Sequence, residues 1–265
     1  MKVVFASDLH ADFNQPKIEW PAGDVCVIGG DTGNSIGTEL KVLGKLAKKY
    51  RHVVTTDGNH THYSNAPQKR TVEETIRRIR AQLPANVHFL GHGNPSVEIE
   101  GVWFVGCMGW YSFDVVGDVE TNKQRWRRVM NDCRWIGFDE IEQRQPWDRA
   151  RDDADLVRDT LRDIKAKAGA TLPPIVVMTH TAPHRDMITW KDHDPEWNAS
   201  NPFYVNSHMQ AVLESPDAQG VTIWVNGHTH HRREKMINGI YCICNPRGYP
   251  SENPGWEPVV LPVIL

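Results

Sequence analysis

Five apolar, β-branched runs recur along the chain, and each stops at a Gly, Asp or His: KVVFASD (2–8), DVCVIGGD (24–31), HVVTTDGNH (52–60), PIVVMTH (174–180) and VTIWVNGH (221–228). Runs of this length and composition read as buried strands. Helical spacing fills the intervals at 38–49, 71–83 and, most clearly, 148–169. In the last, Ala150, Ala154, Val157, Leu161, Ile164 and Ala168 step by four and three and mark one buried face. Strands that alternate with helices need crossover connections, which predicts a largely parallel sheet. NVHFL, SVEIEGVWFVGC, REKMINGIYCICN and EPVVLPVIL read instead as strands joined by turns, so the expectation is a mixed α/β fold. A chain of 265 residues suits one large domain spanning 1–265.

Charge and cysteine content exclude several function classes. A formal net charge of −3 gives no general electrostatic footprint for nucleic acid, so attraction for phosphates has to be local. No apolar run approaches a membrane span, and the run before Asp8 is too short for a secretory leader, so the reading is a cytoplasmic protein without a membrane partner. The five cysteines show no Cys-x-x-Cys spacing, which fits neither a disulfide framework nor a zinc ribbon. Cys242 and Cys244 are expected in the core.

The polar signatures that close the strands carry the chemistry. They are Asp8-Leu9-His10, Gly29-Gly30-Asp31, Gly58-Asn59-His60, Thr179-His180 and Gly227-His228-Thr229-His230. In an open α/β sheet the carboxyl ends of neighbouring strands share one edge, where ligands bind, so these distant residues converge. The set mixes carboxylates, an amide and imidazoles, a donor mixture suited to Mn, Fe, Zn or Ni. Singly, each Asp or Asn would read as a turn residue and each His as a hydrogen-bonded core residue. Their order, each after a strand, favours a metal site.

Five such motifs, D-x-H, G-D, G-N-H, H and G-H-x-H, in that order over residues 8 to 230, resemble the calcineurin-like metallophosphoesterases. The resemblance implies a four-layer αββα sandwich of two mixed sheets flanked by helices, with two divalent metal ions at the sheet edge, Mn favoured. By position, Asp8, His10, Asp31 and His230 would hold one ion, and Asp31, Asn59, His180 and His228 the other, with Asp31 as the bridge. Such ions sit about 3.5–4 Å apart, activate a water and clamp the attacking and leaving oxygens of an in-line displacement. His60 would take the place of the histidine that protonates the leaving oxygen or stabilises charge on phosphorus. Thr61 stands where the family usually has Asp or Glu, and Asn34 where a second acidic residue often follows Gly-Asp.

The implied activity is metal-dependent hydrolysis of a small phosphoester, with a nucleotide-like or other small phosphodiester favoured over a monoester. Cyclic nucleotides, nucleotide-sugar pyrophosphates and dinucleoside polyphosphates all remain open, as do a phosphomonoesterase, including a phosphoprotein phosphatase, and a nuclease. A scaffold without activity is the reading furthest from a complete ligand set. Six tryptophans fall between Trp110 and Trp197, and 110–147 and 181–206 are expected to be cleft-lining insertions, with Trp110, Trp190 and His184 at the substrate. His62, His193, His208 and His231 are expected at the surface or the substrate rim. The basic and aromatic segment 123–135 reads as a solvated helix face over buried tryptophans.

Overall fold

The computed structural model describes residues 1–65, 69–138, 144–169 and 171–262. Among the described residues eleven strands, β1 (Val3–Ala6), β2 (Val25–Ile28), β3 (His52–Thr55), β4 (Val87–Phe89), β5 (Ser96–Ile99), β6 (Val102–Cys107), β7 (Ile175–Thr179), β8 (Val221–Asn226), β9 (Arg233–Ile237), β10 (Ile240–Cys244) and β11 (Val259–Leu261), form two sheets. The first has the order β11-β1-β2-β3-β4 and the second β5-β6-β7-β8-β10-β9. Strands β1 to β4 run parallel, as do β6, β7, β8 and β10. The antiparallel members β11, β5 and β9 lie at the edges.

The helices are α1 (Ile36–Ala47), α2 (Val72–Arg80), α3 (Val119–Val129), α4 (Asp132–Trp135), α5 (Pro146–Ala168), α6 (Pro195–Asn198) and α7 (Ser207–Leu213). Alternation along the central strands explains the layers. On β1, Val3 and Phe5 join Val176, Met178, Ile223 and Val225 of the second sheet in the core between sheets, whereas Val4 and Ala6 meet Leu43 and Leu46 of α1. A strand buried on both faces has to be apolar throughout, which is why these runs lack polar alternation. On the far side, Val157, Leu161 and Ile164 of α5 and Met209 and Val212 of α7 cover Val105, Val177 and Trp224. The result is the four-layer αββα sandwich.

The two segments expected as insertions are structured. Residues 110–138 carry α3 and α4 around an aromatic core of Trp110, Tyr111, Phe113 and Trp126, while 139–143 lie outside the described residues. Trp126 is buried under the basic face of α3 as expected, whereas Trp135 is exposed. Residues 181–206 carry α6 and short 3-10 turns, pinned at their ends by a bridge between Ala182 and Val205. Among the described residues the cysteines are unpaired, and Cys242 and Cys244 are buried.

Candidate metal centre

Every polar signature lies within five residues of the end of a parallel strand, so parallel pairing brings the signatures to one sheet edge. The backbone there is unusual. Asp8, His10, Asp31, His228 and His230 all have positive φ, between 41° and 70°. Left-handed backbone at a residue with a Cβ costs about 1–3 kcal/mol, and it persists where surrounding structure holds it. Here it turns successive side chains toward one centre. Glycine is required beside them for a different reason: a methyl on Gly58 would collide with the Asp31 carboxylate, and one on Gly227 with that of Asp8.

The side chains form overlapping donor groups. Asp8, His10 and His230 offer atoms within 4.8 Å of one another, as do His10, Asp31 and His60, and Asp31, His180 and His228. Nε2 of His10 and Nε2 of His230 are 3.0 Å apart. His180 Nε2 lies 3.3 Å from Asp31 Oδ2 and 3.1 Å from Asn59 Oδ1. Asp31, only 1% exposed, therefore belongs to two groups. This donor set fits divalent cations: buried carboxylate and imidazole atoms converge around shared points.

Burial would raise Asp8, but its bond to His230 and the charges of His180 and His230 bring it below the ordinary carboxylate range. Burial would likewise lower His230, yet Asp8 and Glu252 pull it up to about 10. His180 rises to about 9 despite burial because the Asp31 carboxylate faces it. His10 and His228 go the other way, to about 4, chiefly through burial.

Outer contacts orient the donors. His180 Nδ1 lies 2.8 Å from Gly29 O, His228 Nε2 is 2.9 Å from Phe203 O, and His230 Nδ1 is 2.7 Å from Glu252 Oε2. The Asn59 amide nitrogen donates to Asp132 Oδ1 at 2.9 Å, which turns Oδ1 toward His180. Asp132 is wholly buried and also accepts from the hydroxyls of Tyr63 and Tyr111, each at 2.6 Å. Nothing in the local sequence around Asp132 marks this role.

His60 is held from both sides. Its backbone N–H donates to Asp31 Oδ1 at 2.9 Å, and its Nδ1 is 2.7 Å from Asn34 Oδ1. The position where an acidic residue often stands thus holds His60 with an amide. Asp12 fixes that loop by accepting from the Asn34 N–H and, at 2.6 Å, from the Thr38 hydroxyl. Thr61 supports the turn instead of the imidazole, since its hydroxyl accepts from the Gly58 N–H at 3.1 Å and faces Glu39 Oε2 of α1 at 3.4 Å. A carboxylate does stand beside position 61, supplied from another element.

Several expectations need correction. His62 is neither exposed nor at a rim; it is fully buried with Nε2 2.8 Å from Asp57 Oδ2. His184, expected at the substrate, is buried, with Nε2 2.9 Å from Glu214 and Nδ1 accepting from the Asp186 N–H. Trp110 is 2% exposed and packs edge-on to Tyr111 and Phe138, because its large ring anchors the aromatic core; it also lines, with Asp57 and Asp153, a cavity of about 440 Å³. Trp190 packs against the core outside the second sheet, its Nε1 donating to Arg185 O and its face under the Arg185 guanidinium. His231, by contrast, is exposed as expected and turns away from the donor groups, with Nδ1 2.6 Å from Thr229 O. Glu39, Asp132, Tyr204 and Tyr249 also border or support the cluster, and no motif in the sequence marks them.

A four-layer sandwich with a His, Asp and Asn cluster at its strand ends defines a class of metal-dependent phosphoester hydrolases. The family model for calcineurin-like phosphoesterases matches residues 1–232, and the chain belongs to that family. It is a metal-dependent phosphoester hydrolase. Among solved structures it is similar to the phosphopantetheinyl hydrolase from Mycobacterium tuberculosis, at 16% identity and a TM-score of 0.75, covering 98% of this chain and 95% of that one. A dimetal phosphatase from Danio rerio matches at 12% identity and a TM-score of 0.49, covering 92% and 86%. None of the curated proteins compared with the chain matches it. No described helix is long and apolar enough to cross a membrane.

Proposed function

We propose that the chain hydrolyses a small phosphodiester through a binuclear centre, with Asp8, His10, Asp31 and His230 holding one divalent ion and Asp31, Asn59, His180 and His228 the other. The observation that carries this reading is the place of Asp31, whose buried carboxylate lies within ligating range of His10 on one side and of His180 and His228 on the other. Two bound cations, Mn in the first instance, would supply charge neutralisation and an activated water. The chain's own residues do the rest. Asp8 and Glu252 orient His230, Asp132 keeps the Asn59 oxygen turned inward, and His60, steadied by Asn34, is the group available to hand a proton to the departing oxygen.

A diester is favoured over a monoester because, among the described residues, the side chains hydrogen-bonded to the cluster are carboxylates, amides and tyrosines. A dianionic terminal phosphate calls for a cationic clamp that such a set does not supply. The segment 181–206 is the proposed cleft wall. In support, Trp197, Tyr204 and Thr229 border a cavity of about 160 Å³, and the Tyr204 ring stands 5.1 Å from His228.

The test is a screen of the Mn-loaded protein against cyclic nucleotides, nucleotide-sugar pyrophosphates, dinucleoside polyphosphates, a phosphopantetheinyl ester, phosphomonoesters, phosphopeptides and oligonucleotides. Diester turnover above monoester turnover is expected. Faster monoester hydrolysis would replace the reading with a phosphomonoesterase, and a salt-sensitive preference for oligonucleotides with a nuclease.

A further inference from the structure

Tyr249 reaches across the donor cluster. Its ring lies 4.5 Å from that of His10 and 4.8 Å from that of His230, and its hydroxyl stands 3.2 Å from His60 Nε2. It follows β10, beyond the residues that the family model matches.

The backbone that carries it is tied to the metal-site strands. Arg247 N–H donates to Ser7 O at 2.9 Å, Gly248 N–H to Asp8 O at 3.0 Å, and Gln15 Nε2 to Gly248 O at 3.2 Å. Tyr249 N–H donates to Glu252 Oε2 at 2.6 Å, and the same oxygen lies 2.7 Å from His230 Nδ1. Gly248, with φ +74°, makes the turn, and an added Cβ would meet Glu252. The phenol is therefore positioned by the same atoms that position Asp8 and His230.

The nitrogen it faces is the reactive one. Asn34 occupies Nδ1 of His60, so Nε2 is the atom left to engage a substrate oxygen, and among the described residues the Tyr249 hydroxyl is its hydrogen-bond partner. An oxygen that approaches Nε2 enters beside the hydroxyl, because the two are already within one hydrogen bond of each other. The hydroxyl, which has no second protein partner among the described residues, needs an acceptor once the imidazole turns to substrate.

We infer that Tyr249 is a further catalytic residue, its phenolic hydroxyl donating a hydrogen bond to an oxygen of the phosphoryl group held at the cluster, beside His60. The phenol keeps its proton throughout. This inference rests on the reading of the cluster as a phosphoester site. It adds a donor from a loop outside the metal motifs, placed where negative charge grows during displacement.

Tyr249→Phe removes one oxygen and retains the ring between Phe13, His10 and His230. Inorganic phosphate is titrated calorimetrically into the Mn-loaded full chain, with Mn content measured by mass spectrometry, and turnover of a nitrophenyl phosphodiester is followed in parallel. Mn content is expected to stay at the parent value while phosphate affinity weakens roughly tenfold, as for loss of a hydrogen bond to a charged group. The loss in kcat is expected on the order of tenfold to a hundredfold, as for one hydrogen bond to a charged group. Part of that loss should persist when His60 is already alanine, which separates direct contact from support of the imidazole. Parent-like phosphate affinity in Tyr249→Phe would overturn the inference, as would a turnover loss that vanishes completely in the His60→Ala background. A parent that binds phosphate yet cleaves no ester would refute the proposed function, while Tyr249 is still judged by the phosphate titration. A parent that binds no phosphate would overturn both.

Discussion

Glu39 provides a quantitative test of the structure beneath the site. It lies wholly buried on α1, and its Oε2 faces the Thr61 hydroxyl at 3.4 Å. Burial pushes the carboxyl from 4.5 to about 8; the Thr32 hydroxyl opposes the rise, the charges of Asp31 and Asp57 add to it, and Thr61 opposes it more weakly. The acid is therefore uncharged at neutral pH. Since the folded chain holds this proton more tightly than the unfolded chain, its contribution is fully present below 4.5. It is lost as pH rises through about 8. At ~1.4 kcal/mol per tenfold change in acid constant, the rise amounts to about 5 kcal/mol. Glu39→Gln keeps the shape and removes the ionisation. Thermal unfolding of both proteins, metal-free, from pH 4.5 to 8.5 is the assay. The melting temperature of the variant should gain on the parent by about 10 °C toward the alkaline end, at roughly 2–4 °C per kcal/mol. A difference that does not change with pH would refute the reasoning, because an ionised or solvated Glu39 gives the parent no pH-dependent contribution to lose.

Three further outcomes are expected. Asp31→Ala should lose both ions and all measurable turnover, because one carboxylate serves two donor groups; two ions retained per chain by mass spectrometry would remove Asp31 from the bridge. Asp132→Asn should free the Asn59 amide to flip and weaken metal binding by about 10–100-fold, with one ion lost before the other in a chelator titration, and unchanged affinity would count against the orienting contact. His60→Ala should slow an alkyl phosphodiester by about 10²–10⁴-fold and a nitrophenyl ester far less, since a phenolate departs without a proton; equal losses would mean that His60 positions or neutralises and does not donate.

The sequence by itself determined the strand cores and which polar residues close them. Runs such as VVFA and VCVI must be buried on both faces, and the polar residues that end them must gather wherever parallel strands end together. That inference needs only local pattern and the geometry of crossover connections. The support of the site was decided by tertiary structure. Asn34 meets His60 across 26 residues, Asp132 meets Asn59 across 73, and Tyr249 meets His60 across 189. Each lies in a loop or short helix of ordinary composition, where Asn34 and Asp132 alone read as cap or turn residues and Tyr249 as an ordinary aromatic. The same holds for Glu39, whose carboxyl reaches Thr61 from α1, and for the histidines and tryptophan assigned to the surface or substrate. His62, His184 and Trp110 entered the interior because Asp57, Glu214 and the aromatic core were there to receive them. A buried polar group can be tolerated only when a partner arrives from elsewhere in the chain, and that arrival is a property of packing, which no local stretch of sequence contains.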